Sequence, residues 1–318
     1  MAPPRHAVRV ARVADIAARI RLFELVPAEG APLPAFAAGA HVVVRLPSGT
    51  ERHYSLCNDP SETHRYVIAV LREGEGRGGS REMHEAVPPG HVLTIAGPFN
   101  NFPLAPGAHS SLLVAGGIGI TPILCMARAL AAAGSPFELV YLTRSREETA
   151  FLKVLCATPL VEHVRLHHDG GLRERQFDLA RLLAEPGGRH VYCCGPAGLM
   201  EAVRSRSAHW PADTVHFEYF SGIDTGPRDG DGAFTVSLAR RGVSVEVAAG
   251  QSILDALLGA GIEVDHNCCE GVCGTCIVRS LEGEVDHRDS ILSEAERKAG
   301  DITICCSRAL GPRLVLDI

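Results

Sequence analysis

The sequence has little that would draw it to nucleic acid or into a membrane. Its 31 Lys and Arg are outnumbered by 37 Asp and Glu, for a net charge of -6 and a pI near 6.2, so it has no basic footprint. The opening residues MAPPRHAVRV lack an apolar core, so no signal peptide or membrane anchor is expected, and a cytoplasmic location is. The apolar stretch from 112 to 134, LLVAGGIGITPILCMARALAAAG, is broken by Gly116, Gly117, Gly119, Pro122 and Arg128, and reads as strand, turn and helix instead of a span. There is no internal repeat, no low-complexity tract and no haem-binding segment. At 46% hydrophobic and 21% charged residues the chain can bury real cores, which excludes a disordered one.

What is present falls into three compositional regimes. From about 5 to 100, short alternating runs such as HVVVRL, RYVIAVLRE and HVLTIAGP are separated by Pro, Gly and Asp, the pattern of an antiparallel β-barrel, assigned to 1–103. In 104–224, apolar strand-like runs (SLLVAGG, FELVYLTRS, HVYCCGP) alternate with helical ones (ILCMARALAAAG, FDLARLLAE, GLMEAVRSRS), predicting a doubly wound α/β parallel sheet. A polar, Gly-rich linker is expected over 225–232. The last region, 233–318, opens on a hairpin pattern, then Ser252 as a helix cap and a helix with Ile253, Leu254, Leu257 and Leu258 on one face.

Eleven cysteines without a secretory signal argue for reduced thiols and metal ligation. Cys268, Cys273 and Cys276 are spaced by four and then two residues, and Cys305 follows after 28 more, the plant-type spacing for a 2Fe-2S cluster. Gly271 and Gly274 lie between them, where a chain wrapping a cluster needs left-handed backbone. Zinc is the alternative, but the fourth cysteine lacks the close partner of a zinc knuckle. Cys268 preserves the four-residue gap and Cys269 would shorten it. At the other end, ITICCSRA alternates as a strand, so either Cys305 or Cys306 could face the cluster.

Upstream, Gly116, Gly117 and Gly119 lead into Thr121 and Pro122 at a helix start. This suits a pyrophosphate, although the glycines are not spaced as in the usual dinucleotide fingerprint and a packing turn would read the same way. Cys194, Gly195 and Pro196 end a second strand, at the carboxyl edge where doubly wound sheets bind ligands. In the first region, Arg52 and Tyr54 share one face of a strand while His53 and Ser55 take the other, and Gly78, Gly79 and Ser80 form a small-residue turn able to cradle a phosphate. For both stretches a plain barrel strand and a surface loop are the competing readings. After FELVYL, Arg144, Ser145 and Arg146 could grip a 2′-phosphate and so argue for NADPH. His167, His168 and Asp169 read as a structural loop at a strand end.

RHYSLCND, GRGGS, AGGIGITP, YCCGP, HFEYF, CCEGVCGTC, DHRD and CCSRALGPRLVLDI occur in the order found in the phthalate dioxygenase reductase and vanillate demethylase reductase family, which the chain resembles over essentially its whole length. That resemblance implies an FMN barrel, an NADH domain and a C-terminal β-grasp ferredoxin domain. It implies that Arg52, Tyr54, Ser55, Gly79 and Ser80 bind FMN and that Gly116, Gly117, Gly119, Thr121, Gly195 and Pro196 serve NADH. Phe220 and Cys194 take the catalytic positions. It selects Cys305 over Cys306 as the last ligand and favours NADH. Cys269 departs from the family pattern, which often has an acidic or polar residue there. The implied activity is NADH-dependent electron transfer to a terminal Rieske-type oxygenase, by a monomer. NADH delivers two electrons at once and iron centres take one, so a flavin must stand between them. FMN is expected over FAD because the segment between RHYSL and GPFNNF is short and lacks an obvious aromatic platform for an adenine, and the resemblance points the same way. A reductase for a haem-thiolate monooxygenase and a non-enzymatic iron-sulfur sensor are the alternatives.

Overall fold

The computed structural model describes residues 4–74, 78–220, 228, 230–266, 269, 271, 274–289, 291–292 and 294–318, and these fall into two compact units divided after Phe220. No helix among them is long and apolar enough to cross a membrane.

The first unit holds two sheets. One has six antiparallel strands: β1 (Arg5–Ala17), β2 (Ile20–Pro27), β3 (His41–Arg45), β4 (Glu51–Ser55), β5 (Tyr66–Leu71) and β6 (Val92–Phe99), in the order β4-β3-β6-β1-β2-β5. Its two ends meet. Leu56, just past β4, bridges Ile68 of β5, and the Cys57 amide donates to the Val67 carbonyl at 2.9 Å, closing the sheet into a barrel. Alternate residues of each strand, among them Val8, Val10, Phe23, Leu25, Val42, Val44, Ile68 and Ile95, fill the interior. Met83 plugs it from the helix Gly79–Ala86. The GRGGSREMH stretch, read above as a turn, therefore becomes a helix whose N-cap Gly78 has a φ of 82°; its residues 76 and 77 lie outside the described ones.

The other sheet is parallel: β7 (Ser110–Gly116), β8 (Phe137–Thr143), β9 (Val164–His168), β10 (Arg189–Cys194) and β11 (Val215–Glu218), in the order β11-β10-β7-β8-β9. Leu113 and Ala115 of β7 pack under the helix Ile120–Ala132, while Leu112 and Val114 pack on the opposite face with Met200, Val203 and Trp210. Both faces of the sheet are covered, as in a doubly wound fold. Barrel residues Ile20, Ala38, Cys57, Val67, Ala69 and Phe102 join the cluster around Leu113 and Ala115, so barrel and sheet share one core.

The second unit places β12 (Phe234–Leu238), β13 (Val243–Val247), β14 (Ile277–Glu282), β16 (Asp301–Thr303) and β18 (Arg313–Leu316) in a sheet ordered β13-β12-β18-β14-β16, with a small pair formed by β15 (Val285–Asp286) and β17 (Arg308–Ala309). The helix Ile253–Gly259 packs Ile253, Leu254 and Leu257 against it and is capped by Ser252, whose hydroxyl accepts from the Asp255 amide at 3.0 Å. Leu258, expected on the same face, is exposed: at about 100° per residue it stands roughly 140° from Ile253, at the margin of the face that Ile253, Leu254 and Leu257 bury. The expected linker also contains an anchored residue. Asp231 forms ion pairs with Arg288 and, at 3.8 Å, with Arg308, and these are among the most buried charges of the unit.

Candidate functional site

Among the described residues, the seam between β4 and β5 is closed just past β4, by the Leu56–Ile68 bridge and the Cys57–Val67 hydrogen bond. Upstream of that closure the two strands part, and a cleft of about 740 Å³, counting its open mouth, lies between them. Arg52, His53, Tyr54 and Ser55 line one wall and Ala69, Val70 and Leu71 the other, with Gly78, Gly79 and Ser80 at one end and Ile118, Thr121 and Phe220 from the sheet side. All the flavin residues named from the sequence, together with Thr121 and Phe220, thus border one cavity. Expecting Arg52 and Tyr54 to face away from His53 and Ser55 holds for a strand paired on both sides. At an open seam residues of both faces reach the gap.

Arg52 lies against the start of the Gly79–Ala86 helix. A Cβ built on Gly79 would fall 2.6 Å from the Arg52 Nε and 2.9 Å from its Cγ, so a side chain there would displace the guanidinium. Helix N-terminus and cation converge on the same end of the cleft, an arrangement that fits a phosphate. Burial, opposed by Arg52, raises the Tyr54 phenol well above its ordinary value and keeps it neutral. His53 lies 5.1 Å from His41, which burial and that neighbour lower to about 4.

The carboxyl ends of β7 and β10 lie side by side, with Cys194 opposite Ala115, at the point where the order of the parallel sheet reverses. The glycines there have two different tasks. A Cβ on Gly119 would sit 2.2 Å from the Cys194 carbonyl oxygen, and one on Gly195 would sit 3.0 Å from the Gly116 Cα, so these residues let two turns touch. Gly117, with a φ of 52° and open space beyond it, is the one that faces outward. Thr121 is buried and donates to the Ile118 carbonyl at 3.1 Å. Arg144 and Arg146 are exposed after β8. His168 pairs with the Thr143 hydroxyl at 2.9 Å and His167 with the Arg175 carbonyl, while Asp169 accepts from the Gly171 amide.

Sequence reasoning missed Glu218. It lies at the end of β11 opposite Cys194, accepts a hydrogen bond from the Ser55 hydroxyl at 3.2 Å, and is raised to about 8 by burial, which that bond only partly offsets. Cys194 is itself buried and its thiol is pushed well up by burial and then by Glu218. The missed signal was a charged residue inside the run VHFEYF, whose first four residues, VHFE, form the strand. Phe220 is 41% exposed, so it is not a core aromatic.

In the second unit, Cys276 and Cys305 are both buried. Hydrogen bonds with Cys276 and then Cys306 raise the Cys305 thiol well above its ordinary value, so the thiols compete for protons that a metal would replace. Cys268 and Cys273 lie outside the described residues, and among those described no third ligand joins the pair. Gly271 and Gly274 have φ of 69° and 78°, and a Cβ on Gly271 would fall 2.7 Å from the Cys306 sulfur. The strand reading of ITICCSRA fails beyond Thr303. The Ser307 amide bonds the Thr303 carbonyl at 3.0 Å, and the resulting turn buries both Cys305 and Cys306. Cys306 takes a hydroxyl partner, Thr303 Oγ1 at 3.2 Å, whereas Cys269 is exposed with a φ of 55°.

The family model for the 2Fe-2S iron-sulfur cluster binding domain matches residues 236–310. The chain is 46% identical to phthalate dioxygenase reductase of Burkholderia cepacia, over 98% of this chain and 97% of that one. The chain belongs to the phthalate dioxygenase reductase family. Among solved structures, a phthalate dioxygenase reductase, described as modular for electron transfer from pyridine nucleotides to [2Fe-2S], aligns at a TM-score of 0.74 and 44% identity over 99% of this chain and 98% of that one. An intact type IV self-sufficient cytochrome P450 monooxygenase aligns at 0.80 and 42% over 99% of this chain but 41% of its own. Members of the phthalate dioxygenase reductase family are oxidoreductases of oxygenase systems, and this chain is one, with a flavin-type barrel, a nucleotide-type α/β sheet and a 2Fe-2S ferredoxin domain.

Proposed function

We propose that this protein is the reductase component of an oxygenase system, passing electrons from NADH through FMN and a 2Fe-2S cluster to a terminal Rieske-type oxygenase. The observation that carries the reading is the seam between β4 and β5, where Arg52, Tyr54, Ser55, Gly79, Ser80 and Phe220 line one cleft in a chain that also holds a 2Fe-2S domain. A bound flavin supplies the conversion of a two-electron hydride into single electrons, which an iron-sulfur centre can accept.

The chain's own residues position and exclude. Arg52 and the amides opening the Gly79–Ala86 helix offer positive charge to the phosphate end. The neutral Tyr54 and the Ser55 hydroxyl line the ring end. Ser55 in turn joins Glu218, which reaches the strand end that carries Cys194, so one polar chain links the flavin wall to the nucleotide turn. Phe220 covers the cleft from the sheet side. Gly116, Gly117, Gly119, Thr121, Gly195 and Pro196 shape the nicotinamide side at the switch point. Cys268, Cys273, Cys276 and Cys305 would hold the cluster. FMN is favoured because the one Phe, Tyr or Trp between Ser55 and Gly97, Tyr66, is buried in the barrel and bonded to the Pro34 carbonyl, where it cannot stack on an adenine.

Anaerobic mixing with NADH should bleach flavin and cluster absorbance in sequence, heat should release stoichiometric FMN, and the reduced protein should drive a Rieske oxygenase. Stoichiometric FAD would sink the FMN assignment, and an unbleached cluster would sink the electron path. Support for a haem-thiolate monooxygenase domain, with none for a Rieske oxygenase, would favour the second reading, which the likeness to the P450-fused chain keeps in view.

A further inference from the structure

Phe220 lies past the last residue paired in β11, Glu218, so the ladder does not fix it. Among the described residues, two side chains, Ser55 and Arg204, hold the residues just before it. In an extended run, residues 217 and 219 face one way and 218 and 220 the other. On the cleft side, Glu218 accepts from Ser55. On the opposite side a single cation holds both remaining residues: the Arg204 guanidinium stands 4.9 Å over the Phe217 ring and donates a hydrogen bond to the Tyr219 hydroxyl. Arg204 belongs to the helix Ala197–Arg206, which starts directly after the Gly195–Pro196 turn and buries Met200 and Val203 against the sheet. The helix that opens at the nucleotide turn thus also grips the strand end carrying Phe220.

We infer that Arg204 is a positioning residue that holds Phe220 over the flavin cleft and so sets how readily a nicotinamide ring displaces it. This rests on the assignment of the cleft to flavin and of the Gly195–Pro196 turn to the pyridine nucleotide. A charge-assisted hydrogen bond together with a cation–π contact is enough to shift such an equilibrium by on the order of tenfold.

The test is a double-mutant cycle on the full-length, flavin-loaded protein, with Arg204→Met, which keeps the apolar stem and removes the charge, and Phe220→Ala. Stopped-flow flavin reduction is followed against NADH concentration. Each single variant should lower the half-saturating NADH concentration by roughly three- to tenfold, and the double variant should go no further than Phe220→Ala alone. Multiplying effects, or a raised half-saturation in Arg204→Met, would overturn the proposal. Arg204→Lys should restore part of the effect. Tyr219→Phe, which removes only the hydrogen bond, keeps the test open if the Met variant folds poorly. A readout without turnover is amide exchange of the flavin-free chain: in Arg204→Met, peptides covering 215–220 should exchange faster while those covering β7 do not, and unchanged 215–220 exchange would count against the clamp. Failure of the wild type to be reduced by NADH at all would instead remove the underlying assignment.

Discussion

Replacing Glu218 with Gln should make the first unit more stable, increasingly so as pH rises. Glu218 is part-buried where barrel and parallel sheet meet, the Ser55 hydroxyl is its hydrogen-bond partner among the described residues, and burial raises it from 4.5 to about 8. In the unfolded chain it ionises near 4.5. Below that pH both states carry the proton and no penalty applies. Between 4.5 and 8 folding must take up a proton that the unfolded chain has released, so stability falls with pH, and above 8 the penalty is complete. A gap of 3.5 pH units corresponds to about 5 kcal/mol at full development and about 3 kcal/mol at pH 7. Gln fills the same volume without ionising. The chain's one tryptophan, Trp210, is buried in this unit, so its fluorescence in urea reports this unit's unfolding. The stability difference between Gln variant and wild type, measured on flavin-free protein so that ligand linkage does not enter, should be small at pH 4.5 and grow to several kcal/mol at pH 8.5. Groups common to both proteins cancel. A difference that is flat across this range, or that favours wild type more as pH rises, would show that Glu218 is solvated or paired in the folded protein. A protonated carboxyl bonded to Ser55 beside Cys194 would hold a proton near the cleft.

Serine substitutions at Cys268, Cys273, Cys276 and Cys305 should each abolish the visible cluster absorbance and reduce bound iron, whereas those at Cys269 and Cys306 should retain both; cluster loss at Cys306 with retention at Cys305 would reverse that pair. Gly119→Ala should destabilise the first unit by several kcal/mol, read by Trp210 fluorescence, because its Cβ would overlap the Cys194 carbonyl at 2.2 Å, whereas Gly117 points into open space and its substitution should cost only the 1–2 kcal/mol typical of left-handed backbone. NADH should be preferred to NADPH in kcat/KM despite the exposed Arg144 and Arg146; comparable efficiencies would show that the two arginines take a 2′-phosphate.

Periodicity made the barrel, the parallel sheet and the hairpin of the second unit legible, because each strand buries alternate residues or both faces, and burial is what hydrophobic spacing records. The cleft was legible only in part. RHYS and GGS are short polar stretches, and what joins them is the parting of β4 from β5, a property of how the ends of a six-stranded sheet meet and not of either stretch alone. Glycine patterns were ambiguous for a definite reason. Gly119 and Gly195 are needed for backbone contact between two turns and Gly117 for left-handed backbone, and the sequence writes both needs with the same letter. Asp231 sits in a run of Gly and Asp that looks like solvent-exposed linker, and its partners Arg288 and Arg308 lie 57 and more residues away, a separation no local pattern encodes.

Glu218, which sequence reasoning missed, shares one physical circumstance with Ser55 and Cys194, which it named. Ser55, Glu218 and Cys194 lie at the junction between two apolar clusters, where a polar side chain is costly and must be satisfied by another polar side chain across the junction. The shared core around Ile20, Val67, Leu113 and Ala115 brings the open seam of the barrel against the carboxyl ends of β7 and β10 at the switch point of the parallel sheet. Neither sheet alone would place Ser55 within 3.2 Å of Glu218. The site is therefore a consequence of how two ordinary sheets are packed, and the residues that bridge that packing, not those that complete either sheet, are the ones through which the chemistry of the cleft can be tuned.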